Sequence, residues 1–176
     1  MTEEAKRFHD LPEETKLSIP VTRDQKGYVP ARYGVTTHSE FHESKKLDTV
    51  ECLVVATDYP RDNPNVAAGK QFYGPMPWLP EEALPGFRAV AEEYMATITA
   101  LGKSLLPVWA RALELDADFF ADKFDPAYTY FRMAHYPPKP DLDDDEMGLA
   151  AHTDTGFMTF LPPADEDGLQ ILDRDG

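Results

Sequence analysis

The sequence has few cysteines, few basic residues and no long apolar segment. Cys52 is the only cysteine among 176 residues, which excludes a disulfide within the chain and fits a reducing cytoplasm as the expected location. Lys and Arg together number 17 against 32 Asp and Glu, and the resulting net charge of −15 disfavours nucleic acid or an anionic membrane as partner. No apolar run approaches the roughly 18 residues that a membrane span needs.

Motifs of several enzyme classes are also missing. Ser44 and Ser104 lack a Gly-x-Ser-x-Gly context, and no glycine-rich phosphate loop is present. The acidic residues 141–146 lack the spaced Asp/Asn–Gly pattern of a calcium loop, so we expect a solvated loop there. The chain is nevertheless 42% hydrophobic and 11% aromatic, which is enough to form a folded domain.

The N-terminal part of the chain alternates short elements and loops. Residues 1–10 are predicted to end a helix, because Pro12 lies just beyond them. Residues 37–47 could form one or two helical turns. The β-branched and apolar residues 49–57 predict a strand or a buried extended stretch, and the prolines and glycines of 58–80 predict a loop.

The strongest helix signal lies in the middle of the chain. Apolar residues recur from Leu84 to Leu113 at steps of mostly three or four, which is one face of an α-helix. Pro107 lies within this pattern and predicts a kink or a break, because its ring clashes with the carbonyl of the preceding turn. Asp116 is predicted to cap a second, short helix that runs through Phe120.

The C-terminal part of the chain has strand character. Residues 128–136 are rich in aromatic side chains and end at two prolines, which predicts a strand. Further short strands are expected at 148–153, 157–161 and 168–172. Helices followed by consecutive short strands predict an α+β fold, with a sandwich or barrel beginning near the C-terminal end.

The residues with the clearest chemistry are His152 and Asp154. In a strand, residues i and i+2 point to the same face, so an imidazole and a carboxylate would lie side by side. This is two thirds of the 2-His-1-carboxylate triad that holds Fe(II) in oxygenases. Taken alone the pair is weak evidence, because two polar residues at the exposed end of a strand would give the same pattern.

Motifs in a fixed order accompany this pair along nearly the whole chain. They occupy 8–16, 27–28, 74–80, 84–88, 135–140, 151–154, 159–161 and 168–171. The most distinctive are His135-Tyr136-Pro137-Pro138 and Ala151-His152-Thr153-Asp154. Together they resemble the iron(II)- and 2-oxoglutarate-dependent dioxygenases, in particular the group that includes isopenicillin N synthase and the plant flavonoid oxygenases.

The resemblance implies a fold and a set of site residues. The fold would be N-terminal helices over residues 1–125, followed by the first part of a double-stranded β-helix (jelly roll) over 126–176. His152 and Asp154 would be iron ligands, and Tyr136 would bind 2-oxoglutarate. Many plant members have an Asn where this chain has Ala134, and Arg132 could compensate because alternation places it on the same strand face.

The resemblance also implies an activity. A full-length protein of this kind would use Fe(II), 2-oxoglutarate and O₂ to oxidise a small organic substrate, by hydroxylation, desaturation or ring closure, and would release succinate and CO₂. The family's second iron-binding His and its Arg-x-Ser clamp are expected beyond Gly176, so this chain is expected to be a central fragment that is inactive alone. Two alternatives stay open: an oxidase that does not use 2-oxoglutarate, and a truncated or degenerate homologue without activity.

The remaining histidines are assigned structural or surface positions. His135 is out of phase with Tyr136, so we expect a half-buried, hydrogen-bonded side chain rather than a third iron ligand. His38 and His42 have helical spacing, and their intervening Glu does not stand where the metalloprotease motif needs it, so a solvated helix face is predicted. His9 is expected at the surface.

Overall fold

A computed structural model describes residues 1–34, 47–138, 148–162 and 166–171 of the chain. Its helices and strands follow in the order α1 (Thr2–His9), α2 (Glu13–Leu17), β1 (Gly27–Val29), β2 (Glu51–Ala56), α3 (Pro64–Ala67), α4 (Phe87–Ala112) and β3 (Tyr130–His135). The described chain therefore combines α-helices with β-strands, as the sequence predicts. None of the helices in these ranges is long and apolar enough to cross a membrane.

The three strands form one antiparallel sheet in the order β1-β2-β3. In its register Leu53 lies opposite both Tyr28 and Met133, and Cys52 lies opposite Ala134. Because side chains alternate along a strand, Leu53 and Met133 share one face of the sheet and Cys52 belongs to the other. We call these the core face and the Cys52 face.

The hydrophobic core covers the core face. Phe8 of α1 is fully buried there and stacks on Phe87 of α4, with 5.9 Å between the ring centroids. Its buried members are Phe8, Ile19, Tyr28, Leu53, Val55, Met76, Leu84, Phe87, Ala91 and Met133. The packing thus attaches the first helix and the start of the long helix to the same sheet face.

Four of the predicted elements are confirmed. The helix predicted over 1–10 is α1, the long apolar pattern from Leu84 to Leu113 is α4, and the strands predicted over 49–57 and 128–136 are β2 and β3. The stretch 58–80 is loop apart from the four residues of α3.

Of the kink or break expected at Pro107, the break does not occur, and the kink stays a prediction. Helical residues continue on both sides of it from Phe87 to Ala112. The neighbours Leu106 and Ala110 are buried in a second apolar cluster with Phe120. We attribute the continuity to this packing, which holds the turns on either side of the proline in place.

Other predicted elements are wrong in the described ranges. The residues after Asp116 form successive turns, with Phe119 N–H donating to the Asp116 carbonyl at 3.0 Å, and no helix. Residues 148–153, 157–161 and 168–171 are not strands. A strand needs a neighbouring strand to satisfy its backbone, and no described segment pairs with these residues along a ladder.

The sheet also changes the predicted order of elements. Strands β1 and β2 precede the long helix, so the chain is not helices followed only by strands. The helical turns predicted from residue 37 fall almost entirely outside the described residues, as do His38, His42 and the acidic loop 141–146. β3 pairs with β2 across the domain boundary predicted at residue 125.

Gly27 gives a stability prediction, since it has a φ of +112° and an added Cβ would lie 2.7 Å from the Pro20 carbonyl oxygen. Gly27→Ala should lower the free energy of unfolding by more than about 2 kcal/mol, because strain and a backbone clash combine. Gly69→Ala is the control, since Gly69 has a φ of +65° with nothing within 4 Å of the added atom. It should cost about 1 kcal/mol. If urea unfolding gave the same loss of unfolding free energy for both variants, the backbone clash at Gly27 would contribute nothing.

Candidate functional site

The segment 148–154, which we call the His152 segment, is attached to the start of β2. The Gly148 carbonyl accepts hydrogen bonds from the backbone N–H groups of Thr49 and Val50, each at 3.0 Å. The Ala150 N–H donates to Asp48 Oδ1 at 3.1 Å. These hydrogen bonds hold the backbone in place at Gly148 and at Ala150, and Ala150 is two residues before His152.

A side chain at residue 148 would collide with the ring of Tyr136 unless that ring moved. A Cβ built at Gly148 would lie 2.6 Å from Cδ1 of the Tyr136 ring. The ring of Tyr136, which follows β3, therefore lies directly against the backbone of the His152 segment. In this way the segment contacts both the start of β2 and the residue that follows β3.

His152 and Asp154 lie side by side, although they are not in a strand. His152 Nε2 is 3.5 Å from Asp154 Oδ1, and the two side chains are 30% and 50% exposed. His152 Nδ1 lies 2.9 Å from the Ala150 carbonyl oxygen. A carbonyl can only accept, so Nδ1 donates to it, and Nε2 is the ring nitrogen that faces the carboxylate.

This donor set fits a divalent cation. An imidazole nitrogen and a carboxylate oxygen that face each other are ligand types that non-haem Fe(II) takes from proteins. The bond from Nδ1 to a backbone carbonyl is the outer contact that commonly orients a metal-binding histidine. The other histidines in the described residues, His9 and His135, contact Glu51 instead and supply no third ligand here.

A small cavity opens on the Cys52 face beside the His152 segment. Its volume is about 160 Å³, and Val50, Cys52, Arg132 and Leu149 are among its lining residues. Arg132 is opposite Val54, and Ala134 is opposite Cys52, so the predicted shared face of Arg132 and Ala134 is confirmed. An Arg132 guanidinium nitrogen lies 3.4 Å from Cys52 Sγ.

The cavity is lined by charges of both signs, the guanidinium of Arg132 and the carboxylate of Asp48. Desolvation alone would lower the pKa of Arg132, but the neighbouring Cys52 thiol and Tyr136 hydroxyl raise it, so the guanidinium stays charged. Burial raises the pKa of Tyr136, although Arg132 opposes the shift, so its hydroxyl keeps its proton and can donate. Cys52 is 1% exposed, as predicted for a buried thiol.

A second polar cluster, not anticipated as a group from the sequence, lies on the core face. Glu51 is opposite His135 in the sheet, and its Oε1 lies 2.7 Å from His135 Nδ1. Lys16 Nζ donates to Glu51 Oε2 at 2.9 Å, and the Tyr28 hydroxyl donates to the same oxygen. His135 is thus a half-exposed, hydrogen-bonded histidine, as expected.

The prediction that His9 lies at the surface is wrong. Its side chain is 6% exposed, and its Nε2 lies 2.9 Å from the Met133 carbonyl oxygen. The reason is that α1 packs its C-terminal end against β3, which the helical pattern of residues 1–10 could not reveal. Burial lowers the pKa of His9, even though the Met133 carbonyl and Glu51 oppose the shift.

Glu51 is held in its ionised form inside the protein. Burial alone would raise the pKa of Glu51, but hydrogen bonds from Tyr28, His135 and Lys16 lower it to about 2. Burial and the contact with Glu51 raise the pKa of the Tyr28 hydroxyl. A sequence signal for this cluster did exist, because Glu51 is a charged residue within the apolar run of β2 and must be paired when that strand is buried.

Lys16 provides the test of this buried pair. Both side chains are less than 10% exposed, so Lys16→Met should lower the free energy of unfolding by about 3 kcal/mol, because Glu51 loses its buried cationic partner. Lys6→Met is the matched control, since Lys6 and Glu3 form a pair that is 60% and 83% exposed, and it should cost less than about 0.5 kcal/mol. Similar urea midpoints for the two variants would contradict the assignment.

A family model and several individual proteins match this chain in sequence. Residues 1–81 match the family described as the N-terminal region of the non-haem dioxygenase in morphine synthesis. Azadirone synthase LFS of Melia azedarach is 33% identical over 170 residues, which cover 94% of this chain and 49% of that protein. The 2-oxoglutarate-Fe(II) type oxidoreductase hxnY of Emericella nidulans is 32% identical over 176 residues, covering 96% of this chain and 48% of that protein.

A solved structure extends the comparison to the fold. A full-length Neurospora crassa protein, crystallised in complex with alpha-KG (2-oxoglutarate), superposes with a TM-score of 0.58 at 27% identity. The superposition covers 77% of this chain and 39% of that one. The small sheet and its packed helices are therefore an arrangement that this chain shares with a protein that binds 2-oxoglutarate.

These similarities define a class, the non-haem iron oxygenases. Within it, the chain belongs to the iron(II)- and 2-oxoglutarate-dependent dioxygenase family. Membership implies Fe(II), 2-oxoglutarate and O₂ as the cofactors. The chain spans about half the length of the curated relatives it matches.

Proposed function

We propose that the native-length protein is an Fe(II)- and 2-oxoglutarate-dependent oxygenase that oxidises a small organic substrate and releases succinate and CO₂. The oxidation would be a hydroxylation, a desaturation or a ring closure. The observation that carries the proposal is the His152–Asp154 pair, in which the imidazole Nε2 lies 3.5 Å from a carboxylate oxygen.

His152 and Asp154 would be two of the three iron ligands. Iron bound there supplies the activation of O₂, which the side chains of a protein cannot perform. The Ala150 carbonyl keeps the His152 proton on Nδ1, so that Nε2 stays available as a ligand. The carboxylate of Asp154 balances part of the metal's charge, and the exposure of both side chains leaves room for further ligands.

Arg132 and Tyr136 would bind 2-oxoglutarate. The guanidinium of Arg132 lies at the cavity of the Cys52 face, where a carboxylate could pair with it. Tyr136 lies against Gly148, at the start of the His152 segment, and its protonated hydroxyl could donate to the same carboxylate. Ala134 cannot contribute a side-chain hydrogen bond there, so more of the cosubstrate affinity would depend on Arg132.

The proposal includes a division of the chain. Residues 1–125 would form the N-terminal helical region, and 126–176 would be the first part of a jelly-roll core of the isopenicillin N synthase-like type. β3 would then be the first core strand, joined to β2 of the preceding region by the shared sheet. With only two of three metal ligands proposed, the 176-residue chain alone would be inactive.

The metal ligands can be tested by Fe(II) binding under anaerobic conditions. In the native-length protein, His152→Ala and Asp154→Ala should each weaken Fe(II) binding by more than about 100-fold, since loss of an outer contact alone costs 10–100-fold. Succinate formation should fall to background in both variants. Asp118→Asn, at an exposed carboxylate outside the proposed ligand set, is the control and should change neither. Undiminished turnover in either ligand variant would refute the assignment.

Substitution of Arg132 tests whether this residue binds 2-oxoglutarate. Arg132→Met should raise the KM for 2-oxoglutarate by about 10-fold or more, because a charge-assisted hydrogen bond is lost. Iron binding should be unchanged. Arg88→Met, which removes an exposed guanidinium paired with Glu92, should leave the KM as it is. If the two variants had the same KM, Arg132 would have no part in binding the cosubstrate.

The same assay separates the competing functions. Substrate oxidation without succinate would favour an oxidase that does not use 2-oxoglutarate, an outcome for which Ala134 gives a specific reason. Iron binding with neither product would favour a homologue without catalytic activity.

A further inference from the structure

The cluster on the core face has the composition of a second metal site. It consists of His9 at the end of α1, Glu51 at the start of β2 and His135 at the end of β3. One ligand atom from each side chain lies within 4.8 Å of the others. His9 Nδ1 is 3.4 Å and His135 Nδ1 is 2.7 Å from Glu51 Oε1.

His9 has an unsatisfied buried nitrogen at this place. Its Nε2 contacts the Met133 carbonyl, which can only accept, so Nε2 carries the proton of the neutral ring. The other nitrogen, Nδ1, is buried without a hydrogen-bond partner and faces Glu51 Oε1. Two acceptors thus face each other in the protein interior, an arrangement that a cation between them would stabilise.

The surroundings hold the two ligand groups in orientation. Lys16 and Tyr28 both donate to Oε2 of Glu51, which leaves Oε1 directed at the two histidines. The bond from His9 to the Met133 carbonyl fixes the orientation of that imidazole. Outer contacts of this kind, to a carbonyl from a histidine and to a carboxylate from donors, are typical of protein metal sites.

We propose that His9, Glu51 and His135 bind a divalent cation of the zinc class, at a site separate from that of His152 and Asp154. The ligands would be Nδ1 of each histidine and Oε1 of Glu51. His135 is 44% exposed, so the ion can enter from solvent and keep a water molecule as a further ligand. On binding, the proton of His135 Nδ1 leaves that nitrogen for Nε2 or for solvent, because the cation takes the Nδ1 lone pair.

The chemistry of the site selects among cations. Two imidazoles favour Zn²⁺, Co²⁺ or Ni²⁺ over Mg²⁺ and Ca²⁺, which take oxygen ligands. The positive charge of Lys16, on the far oxygen of Glu51, weakens the attraction for any cation. A cation whose binding depends mainly on charge is therefore disfavoured more than one that bonds strongly to nitrogen.

The test is a zinc titration of the metal-free 176-residue chain in excess Mg²⁺, which occupies adventitious acidic sites. The chain carries His152→Ala to remove the other candidate site. We expect one equivalent of Zn²⁺, and a Co²⁺ visible spectrum typical of nitrogen and oxygen ligands. Zinc should also raise the thermal unfolding temperature, because it binds the folded state.

Substitution of the two histidines of the cluster shows whether they bind the zinc. His135→Gln, at a half-exposed position that should not disturb folding, should weaken Zn²⁺ binding by about 10-fold or more. His9→Gln should also weaken Zn²⁺ binding, since glutamine offers a donor for the Met133 carbonyl but has no imidazole Nδ1. Asp10→Asn, an exposed carboxylate beside His9, is the control and should bind zinc normally.

Two results would overturn the proposal. One is the absence of a zinc equivalent in the His152→Ala chain, and the other is unchanged zinc affinity in folded His135→Gln. Neither result bears on the iron site, whose test is the loss of Fe(II) binding in the His152 and Asp154 variants of the native-length protein.

Discussion

The antiparallel pairing of β2 with β3 is the constraint on which the described structure depends. β2 is the central strand, and its register with β3 sets Glu51 opposite His135, Leu53 opposite Met133 and Cys52 opposite Ala134. A shift by one residue would exchange the two faces, placing the polar cluster where the cavity is. Helices α1 and α4 pack on the core face, and the His152 segment is attached at the start of β2. Both candidate sites thus follow from a single register.

The cost of this arrangement is a buried charge. Glu51 is 7% exposed and lies at the end of a strand that is otherwise apolar. Desolvation opposes its ionisation, and donors from α2, β1 and β3 offset that cost. These donors come from elements far apart along the chain, so the charge is satisfied only when the elements assemble. A buried carboxylate of this kind therefore links the N-terminal helices to the sheet through electrostatics as well as through apolar packing.

The two faces of the sheet separate two kinds of chemistry. The Cys52 face has an open cavity with the guanidinium of Arg132, and the His152 segment starts beside it. The core face has the His9–Glu51–His135 cluster within a packed interior. An enzyme needs exposure for substrate and cosubstrate, which the first face offers. The second cluster has one half-exposed member, which suits the slow exchange of a structural ion better than turnover.

The sequence by itself determined the local elements and the chemical pair. Periodicity was enough for α4, the proline beyond residue 10 for the end of α1, and β-branched and aromatic composition for β2 and β3, because these signals are carried by residues close together along the chain. His152 and Asp154 do lie side by side, but the strand from which this was predicted is absent, so their proximity depends on the conformation of the His152 segment. Only the tertiary structure decided that Pro107 is tolerated, that His9 is buried and that Lys16 pairs with Glu51 across 35 positions. The physical reason is that burial and ion pairing depend on which distant segments pack together, and a local pattern does not contain that information.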